Sequence, residues 1–487
     1  MALKSIKKNY LYSLIAKIVA LIAPLIVTPY VSRIIGADGA GVCSYITSLV
    51  SYFVLFANLG IESYALREIS MHRDDHNFIK KFAIEITIMK AILTLICLVI
   101  YYVLFIAIFN LENQILYIIY SITLISVAFN FTWFYQGIEK FNILALASIL
   151  TKLIYVSLIF IFVKEKSDLN IYALIVVSMT LLEYVVVIPF LFVSIKGKVE
   201  GKINPFIHLK SCMVYFLPTV AVEIYTVVDK TMIGLITKSD FENGYYEYAE
   251  KLVKMPLTVI TAINAIMESR MAYYYSYNNH ADAYNLTIKS ANFSFMLSFP
   301  MAFGAVAIAR TAIPLYLGDG YEKCITLIYI LAWLLPIISI SNLLGSHYYT
   351  PFGKRKTSAI FLTSGALVNI ILNSFMIYLW QSIGAAIASI VAELLISVLY
   401  VIFARKFLLF KTLLNVSYKY IISSVIMGGS VLALNIFLPT SVWYLILEIT
   451  IGIIVYSLML LILRTRFFID NIKFLFNKIS KKRNNNE

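Results

Sequence analysis

Long apolar stretches follow one another along almost the whole chain, and short polar turns separate them. Each stretch holds about 20 or more residues, which is the length an α-helix needs to cross a bilayer. No polar stretch between them is long enough to form a soluble domain of its own. The pattern therefore predicts an all-α polytopic membrane protein with about fourteen transmembrane helices. The predicted spans cover residues 10–35, 42–66, 82–109, 114–136, 142–163, 170–195, 210–236, 243–272, 286–312, 324–349, 357–379, 383–404, 418–438 and 442–463.

A weak internal repeat relates the first six spans to the next six. Gly36 near the end of span one is followed by Gly41, and Gly234 near the end of span seven is followed by Gly244. A parallel repeat of this kind predicts two pseudo-symmetric six-helix lobes around a central cavity, with a C-terminal helix pair added. The alternatives are a chance similarity of short glycine motifs and a bundle without a repeat. The predicted parts are an N-lobe at 1–195, a basic cytoplasmic linker at 196–209, a C-lobe at 210–404, helices thirteen and fourteen at 405–463, and a basic cytoplasmic tail at 464–487.

Composition and charge fit this interpretation. The 487 residues are 61% hydrophobic and 14% charged, whereas a soluble domain is about 45–50% apolar and about 25% charged. A net charge of +14 would suggest a nucleic-acid partner in a soluble protein, but here loops rich in lysine and arginine alternate with loops that hold few of them, as the positive-inside rule requires. We therefore expect no nucleic-acid partner, both termini in the cytoplasm, and a tail that lies along the anionic inner leaflet. The outer loops then hold only Arg33, Lys164, Lys166, Lys238 and Lys323.

Motifs of enzyme chemistry are missing from the sequence. The chain has no Walker loop, no Cys/His metal set and no nucleophile elbow. Its four cysteines are scattered at spacings that match no metal or redox motif, so we expect them to pack between helices. The sequence predicts a protein that is not an enzyme and that uses no metal or other cofactor.

Charged residues recur along one face of span eight. Glu247 and Lys251 are four residues apart, as are Glu250 and Lys254, in the order that favours ion pairs on a helix. A charge at the centre of a transmembrane helix costs about 2.5–3.5 kcal/mol, so these groups either neutralise each other at the outer interface or form a polar wall that faces a cavity. The stripe continues to Arg270, which favours the wall.

Span seven carries a second set of charges. Glu223 and Lys230 are seven residues apart and share a face. Asp229 lies about 100° away around the helix, so it either locks helices together or meets the substrate.

The first lobe contributes further charges within its predicted spans. Lys90 and Lys152 lie too deep to reach water easily, so an inward face is favoured over a lipid-facing one. Lys17 lies on one face of span one. Glu62 and Arg67 lie nearer the inner end of span two, where they are either site residues or anchors at the interface.

Four polar residues in later spans are interpreted separately. Asn369 and Asn373 are four residues apart on span eleven and are typical of hydrogen bonds between helices. Glu393 and Glu448 stand alone in their spans. Each of these carboxyl groups is protonated, held by a neighbouring helix, or part of an ion-coupling site.

In a set of short motifs that include several of the charged residues above, the chain resembles the bacterial polysaccharide transporters. These are the O-antigen and capsule repeat-unit flippases of the multidrug/oligosaccharidyl-lipid/polysaccharide exporter superfamily. The resemblance covers nearly the whole chain and rests on the order and spacing of short motifs. The family usually has a proline before the arginine that closes span eight, where this chain has Glu268-Ser269-Arg270. Without that proline a kink of the helix at this point is not expected, but the family assignment is unaffected. The motifs are Ser32-Arg33-Ile34-Ile35-Gly36 with Gly41, Gly60-Ile61-Glu62-Ser63-Tyr64-Ala65-Leu66-Arg67-Glu68, Trp133-Phe134-Tyr135-Gln136-Gly137-Ile138-Glu139, Asp229-Lys230-Thr231-Met232-Ile233-Gly234, Gly244-Tyr245-Tyr246-Glu247-Tyr248-Ala249-Glu250-Lys251 and Leu317-Gly318-Asp319-Gly320-Tyr321.

The resemblance implies a flippase that moves an undecaprenyl-diphosphate-linked oligosaccharide repeat unit across the bacterial cytoplasmic membrane by alternating access, for surface polysaccharide assembly. It further implies H+ or Na+ as a coupling ion, contact with membrane lipids, and a polysaccharide polymerase as a partner. Lysines in a low-dielectric cavity suit an anionic diphosphate. The alternatives are a multidrug or organic-cation antiporter of the same superfamily and a non-transporting membrane scaffold for a glycan polymerase.

The predicted site combines cations for the diphosphate with carboxylates that balance them. Lys230 and Lys254 are expected to contact the diphosphate, with the first-lobe lysines opposite them across the cavity. The predicted substrate-binding residues are Lys17, Arg33, Arg67, Lys90, Lys152, Lys230, Lys251, Lys254 and Arg270. The predicted coupling or charge-balancing residues are Glu62, Glu223, Asp229, Glu247 and Glu250.

Overall fold

The structure is a computed structural model that describes residues 2–108, 113–195, 201–437 and 439–474. Every long regular element in these ranges is an α-helix, which confirms the all-α polytopic class. The helices are α1 (Ala2–Asn58), α2 (Ile61–Met71), α3 (His76–Tyr102), α4 (Gln114–Ala128), α5 (Thr132–Gly137), α6 (Phe141–Phe162), α7 (Leu169–Val185), α8 (Ile188–Ser194), α9 (Leu209–Thr237), α10 (Asp240–Ser276), α11 (His280–Leu317), α12 (Glu322–Leu331), α13 (Leu334–Leu344), α14 (Arg355–Phe403), α15 (Phe410–Phe437) and α16 (Val442–Ile462).

The number of spans agrees with the sequence-based prediction. Ten helical segments of the described residues are long and apolar enough to cross a membrane. Two of them contain a residue with non-helical backbone angles, Gly36 in α1 and Gln381 in α14, so each of these segments corresponds to two predicted spans. Helices α9 and α10, with 29 and 37 residues, coincide with predicted spans seven and eight. Together these helices account for the predicted fourteen.

The chain divides into two compact units, one that ends at Gly244 and one that begins at Tyr245. Helix α9 belongs to the first unit, where it packs against α1. The sequence-based boundary instead lies in the linker at 196–209, of which residues 196–200 fall outside the described ranges. The lobe boundaries and the pseudo-symmetry stay predictions.

Aromatic residues form much of the core of each unit. Trp133, Phe134 and Tyr135 are at most 1% exposed and belong to one buried cluster of the first unit. Tyr349 and Tyr400 belong to a buried cluster of the second unit. All four cysteines are buried and free, as the sequence predicted. The Trp-Phe-Tyr motif and the cysteines therefore serve packing in this structure.

Some predicted spans are interrupted helices. Span two breaks after Asn58, where Gly60 has a φ of 71°. A Cβ at Gly60 would lie 2.6 Å from the backbone nitrogen of Phe216 on α9, so the break is also a point of close helix contact. Span four breaks between Ala128 and Thr132. Hydropathy does not separate one continuous helix from two short helices in line, so the sequence did not predict these breaks.

Substitution of Gly41 tests the close approach of α1 to the first turn of α10. A Cβ at Gly41 would lie 1.7 Å from the carbonyl oxygen of Asp240. Because backbone cannot move aside as a side chain can, we expect Gly41→Ala to cost at least the ~1–3 kcal/mol typical of overpacking. The measurement is thermal unfolding of the purified protein.

The matched control is Gly429→Ala within α15, where a Cβ would meet nothing within 4 Å. Alanine is favoured over glycine in a helix interior by about 1 kcal/mol, so this variant should be at least as stable as the wild type. Equal stability of the two variants would contradict the close contact between α1 and α10.

Candidate functional site

In the first unit, three polar residues meet at the break between α4 and α5. The Nζ atom of Lys90 donates to the carbonyl oxygen of Asn130 at 3.0 Å. The Nδ2 atom of Asn130 donates to Oε1 of Glu62 at 2.7 Å, and Lys90 Nζ lies 3.8 Å from that same oxygen. A helix that ends leaves carbonyl groups without intrahelical partners. The lysine therefore satisfies a carbonyl at the break while it pairs with the carboxylate.

The members of this cluster differ in exposure. The side chain of Lys90 is 2% exposed, whereas that of Glu62 is 41% exposed. Lys90 is thus enclosed by protein, in agreement with the predicted inward face. Removal of Glu62 would leave the buried ammonium group of Lys90 without its carboxylate partner, which destabilises the fold. The geometry makes Lys90 a group that fixes Asn130 and Glu62 in place, and Glu62 is the most exposed member of the cluster.

A second ion pair of the first unit is more open. Lys152 Nζ on α6 lies 3.3 Å from Glu183 Oε2 on α7, and both side chains are about a quarter exposed, at 28% and 25%. Tyr184 lies close enough to Glu183 and to Glu62 to interact electrostatically with both carboxylates. An anion could therefore approach Lys152 without a rearrangement of the core.

The other predicted cations of the first unit have local contacts. Arg33 is exposed and donates through Nη1 to the carbonyl oxygen of Pro29 at 2.7 Å. Arg67 is exposed and donates to the hydroxyl of Tyr215 on α9 at 2.7 Å. Lys17 is exposed on α1. Their roles as substrate ligands stay predictions.

Helix α9 is joined to α1 by hydroxyl groups that the sequence analysis did not single out. Thr231 Oγ1 donates to Ser48 Oγ at 2.9 Å, and the Tyr52 hydroxyl lies 3.0 Å from Thr231 Oγ1. The predicted charged residues lie around this junction: Asp229 is buried, and Glu223 and Lys230 are half-buried. A single threonine beside a charged motif carries no signal that would have identified the junction.

In the second unit, one predicted ion pair of α10 forms. Lys254 Nζ lies 2.6 Å from Oε1 of Glu250. The lysine side chain is 40% exposed and the glutamate side chain 8%, so the carboxylate is held by protein while the ammonium group is accessible. Lys251 and Glu247 are half-buried.

Arg270 and the asparagine pair of α14 complete the predicted set in this unit. Arg270 is exposed, and its guanidinium carbon lies 5.8 Å from the centre of the Tyr274 ring. Asn373 Nδ2 donates to Asn369 Oδ1 at 3.1 Å, and both asparagines are fully buried. This geometry favours a packing role for the two asparagines over a ligand role.

The linker before α9 is fixed to α3 by the carboxylate of Glu85. Glu85 Oε1 accepts from the backbone nitrogen of Asn204 at 2.9 Å, and its Oε2 lies 3.0 Å from His208 Nε2. His208 Nδ1 lies 3.0 Å from the hydroxyl of Tyr64. These contacts join residues 119 and more positions apart, so local sequence patterns could not predict them.

The arrangement suits recognition of an anion. Two lysine side chains, Lys152 and Lys254, are partly exposed and each is paired with a carboxylate. A phosphate oxygen can replace a carboxylate oxygen at an ammonium group, so that the ammonium charge stays paired in a low-dielectric region. This geometry allows an anion to bind at the lysines in exchange for the carboxylates.

Sequence comparisons match the chain to one protein family and to a curated relative. Residues 6–267, more than half of the chain, match the family described as "Polysaccharide biosynthesis protein". A curated protein named "Putative O-antigen transporter" from Escherichia coli (strain K12) is 23% identical over 412 residues, which cover 82% of this chain and 97% of that protein.

Two solved structures share the fold. One is titled "Lipid II flippase MurJ, inward closed conformation"; it has a TM-score of 0.73 at 19% identity and covers 95% of this chain and 99% of its own. The other is an inward-facing "multidrug resistance MATE family transporter of the MOP superfamily"; it has a TM-score of 0.61 at 16% identity and covers 80% of this chain and 94% of its own.

Proposed function

Because this chain belongs to the polysaccharide biosynthesis protein family, we propose that it is a flippase for an undecaprenyl-diphosphate-linked oligosaccharide repeat unit. It moves this unit from the inner to the outer leaflet of the bacterial cytoplasmic membrane by alternating access. Both termini lie in the cytoplasm, and H+ or Na+ supplies the driving gradient. A polysaccharide polymerase uses the product on the outer side.

One observation carries this proposal: a helix that coincides with a predicted span holds an accessible lysine paired with a carboxylate. Lys254 is 40% exposed and lies 2.6 Å from Glu250, and Lys152 forms a comparable pair with Glu183. A diphosphate on a lipid must leave the headgroup layer, and a cation in a low-dielectric site stabilises it far better than water-screened charge can. Carboxylates released by the phosphate could then bind protons, which offers a route to coupling.

The likeness to a multidrug transporter favours one second candidate, an antiporter for organic cations. The sign of the accessible groups argues against it, since Lys152 and Lys254 present positive charge to a ligand. A scaffold that does not transport would tolerate neutralisation of these lysines.

Deletion of the gene in its own host separates the flippase from the antiporter. A flippase deletion should remove a surface polysaccharide and leave lipid-linked units unassembled, and expression of the wild-type chain should restore the glycan. Altered sensitivity to cationic drugs with an intact surface glycan would support the antiporter and overturn the flippase.

A further inference from the structure

A buried carboxyl group lies where three helices of the second unit meet. Glu448 on α16 is 1% exposed, and its Oε1 lies 3.1 Å from Oγ1 of Thr311 on α11. The same hydroxyl lies 2.6 Å from Oδ1 of Asn435 on α15. Asn435 in turn donates through Nδ2 to the carbonyl oxygen of Ala307 at 2.6 Å. The chain of contacts therefore connects α16, α11 and α15 at one point.

The hydrogens available in this chain of contacts do not suffice for an ionised Glu448. The bond from Asn435 Nδ2 to Ala307 fixes the amide orientation, so Oδ1 faces Thr311 and can only accept. Thr311 has one hydroxyl hydrogen, and its shorter contact, to Asn435, needs that hydrogen. The contact between Thr311 and Glu448 then lacks a hydrogen unless the carboxyl group supplies it. With a proton on Oε1, Glu448 donates to Thr311 and Thr311 donates to Asn435.

No cation of the described residues forms an ion pair with Glu448. Its second oxygen, Oε2, is buried and has no hydrogen-bond partner among them. An isolated carboxylate in such a position is very costly, and a carboxyl group there neutralises instead. Helices α11 and α15 pack against α16. Of their charged residues, Lys419 donates to the carbonyl oxygens of Leu463 and Arg464. The others are exposed: His280, Asp282, Lys289, Arg310 and Lys411. The buried tyrosines of α15 and α16 donate elsewhere, Tyr420 to Asn292 and Tyr456 to Met296.

We propose that Glu448, Thr311 and Asn435 form a proton-binding site in which Glu448 carries the proton at neutral pH. The ligand is H+, which forms an O–H bond at Glu448 Oε1 and is released to water when that bond breaks. Loss of the proton leaves one hydrogen for two oxygen–oxygen contacts, so it weakens the attachment of α16 to α11.

The position of the site gives it a place in transport, which rests on the proposed function. Glu448 lies in the second turn of α16, and Thr311 and Asn435 lie within the last two turns of α11 and α15. The predicted topology puts these helix ends on the outer side of the membrane. Exchange with the outside would make the attachment of the C-terminal helix pair depend on the external proton concentration.

Infrared spectroscopy of the purified full-length protein in lipid nanodiscs tests the site without any substrate. The wild-type spectrum minus that of Glu448→Gln at neutral pH should contain the C=O stretch of a protonated carboxyl group, and this band should shift in D2O. Thr311→Val removes the hydroxyl that accepts from Glu448, so it should move the same band to higher frequency. This second variant keeps the test decisive if the glutamine variant does not fold.

A difference spectrum that contains only carboxylate bands would overturn the proposal, and their dependence on Na+ would assign the site to a sodium ion. Failure of the flippase assignment is a separate result, because it would appear as a wild-type chain that does not restore the surface glycan. In that case the carboxyl band would still be observed.

Discussion

Replacing Lys254 with glutamine is expected to abolish glycan export while leaving the protein folded in the membrane. The ammonium group of Lys254 is accessible and lies 2.6 Å from the buried carboxylate of Glu250. Glutamine keeps most of the side-chain volume but removes the charge that would attract the diphosphate. Arginine at this position should retain part of the export, since it keeps the charge but changes its shape. The measurement is surface polysaccharide in a deletion strain that expresses each variant at the native level.

The control for Lys254→Gln is Lys289→Gln, which removes an exposed lysine of α11 outside the proposed site. This control should export normally. Lys230→Gln on α9 should behave like Lys254→Gln, because Lys230 is half-buried on a predicted span and belongs to the same predicted set. If both glutamine variants at the predicted site export normally, the lysines are structural and the assignment of the substrate site is wrong.

A cysteine pair that joins α1 to α9 is expected to stop export reversibly. Ser48 Oγ and Thr231 Oγ1 are 2.9 Å apart, so cysteines at these two positions are close enough to form a disulfide. Alternating access requires helices at the pathway to separate during each cycle. Oxidation of the Ser48→Cys/Thr231→Cys variant should therefore reduce export to the level of the deletion strain, and a reductant should restore it.

Each single cysteine variant is the control for this pair, and it should export equally with and without the oxidant. The four native cysteines are buried, so a background without them excludes competing disulfides with little change of surface. Normal export with a fully formed disulfide would show that α1 and α9 stay together throughout the cycle. Transport would then use a different movement.

The sequence was sufficient to predict the structural features that depend on residues close together along the chain. Apolar runs of bilayer length predicted the spans, and the spacing of four residues predicted the pair of Glu250 and Lys254, because i,i+4 neighbours meet on any helix. The cluster of Lys90, Asn130 and Glu62 in the first unit could be predicted only in part from the sequence. Lys90 and Glu62 stood out as charges in apolar sequence, but Asn130 did not, since one asparagine among aromatic residues has no periodic signal.

The contacts that sequence reasoning missed are long-range. Lys90 reaches a carbonyl 40 positions away, and Thr231 reaches Ser48 across 183 positions. The break at Asn130 is stabilised by the side chain of Glu62 and by Lys90, so its cause lies in tertiary packing and not in the local sequence. Glu448 stands alone in its span, and its contact with Thr311 joins residues 137 positions apart, so local sequence could not predict that contact either.

The most direct test of the flippase function is to locate the lipid-linked repeat unit in the two leaflets of the cytoplasmic membrane. Spheroplasts of the deletion strain can be treated with an impermeant reagent that modifies only glycan on the outer surface. The proposal predicts that the lipid-linked unit is protected in the deletion strain and in the strain that expresses Lys254→Gln, and that the wild-type chain makes it accessible. Equal accessibility of the lipid-linked unit in all three strains would contradict the flippase function.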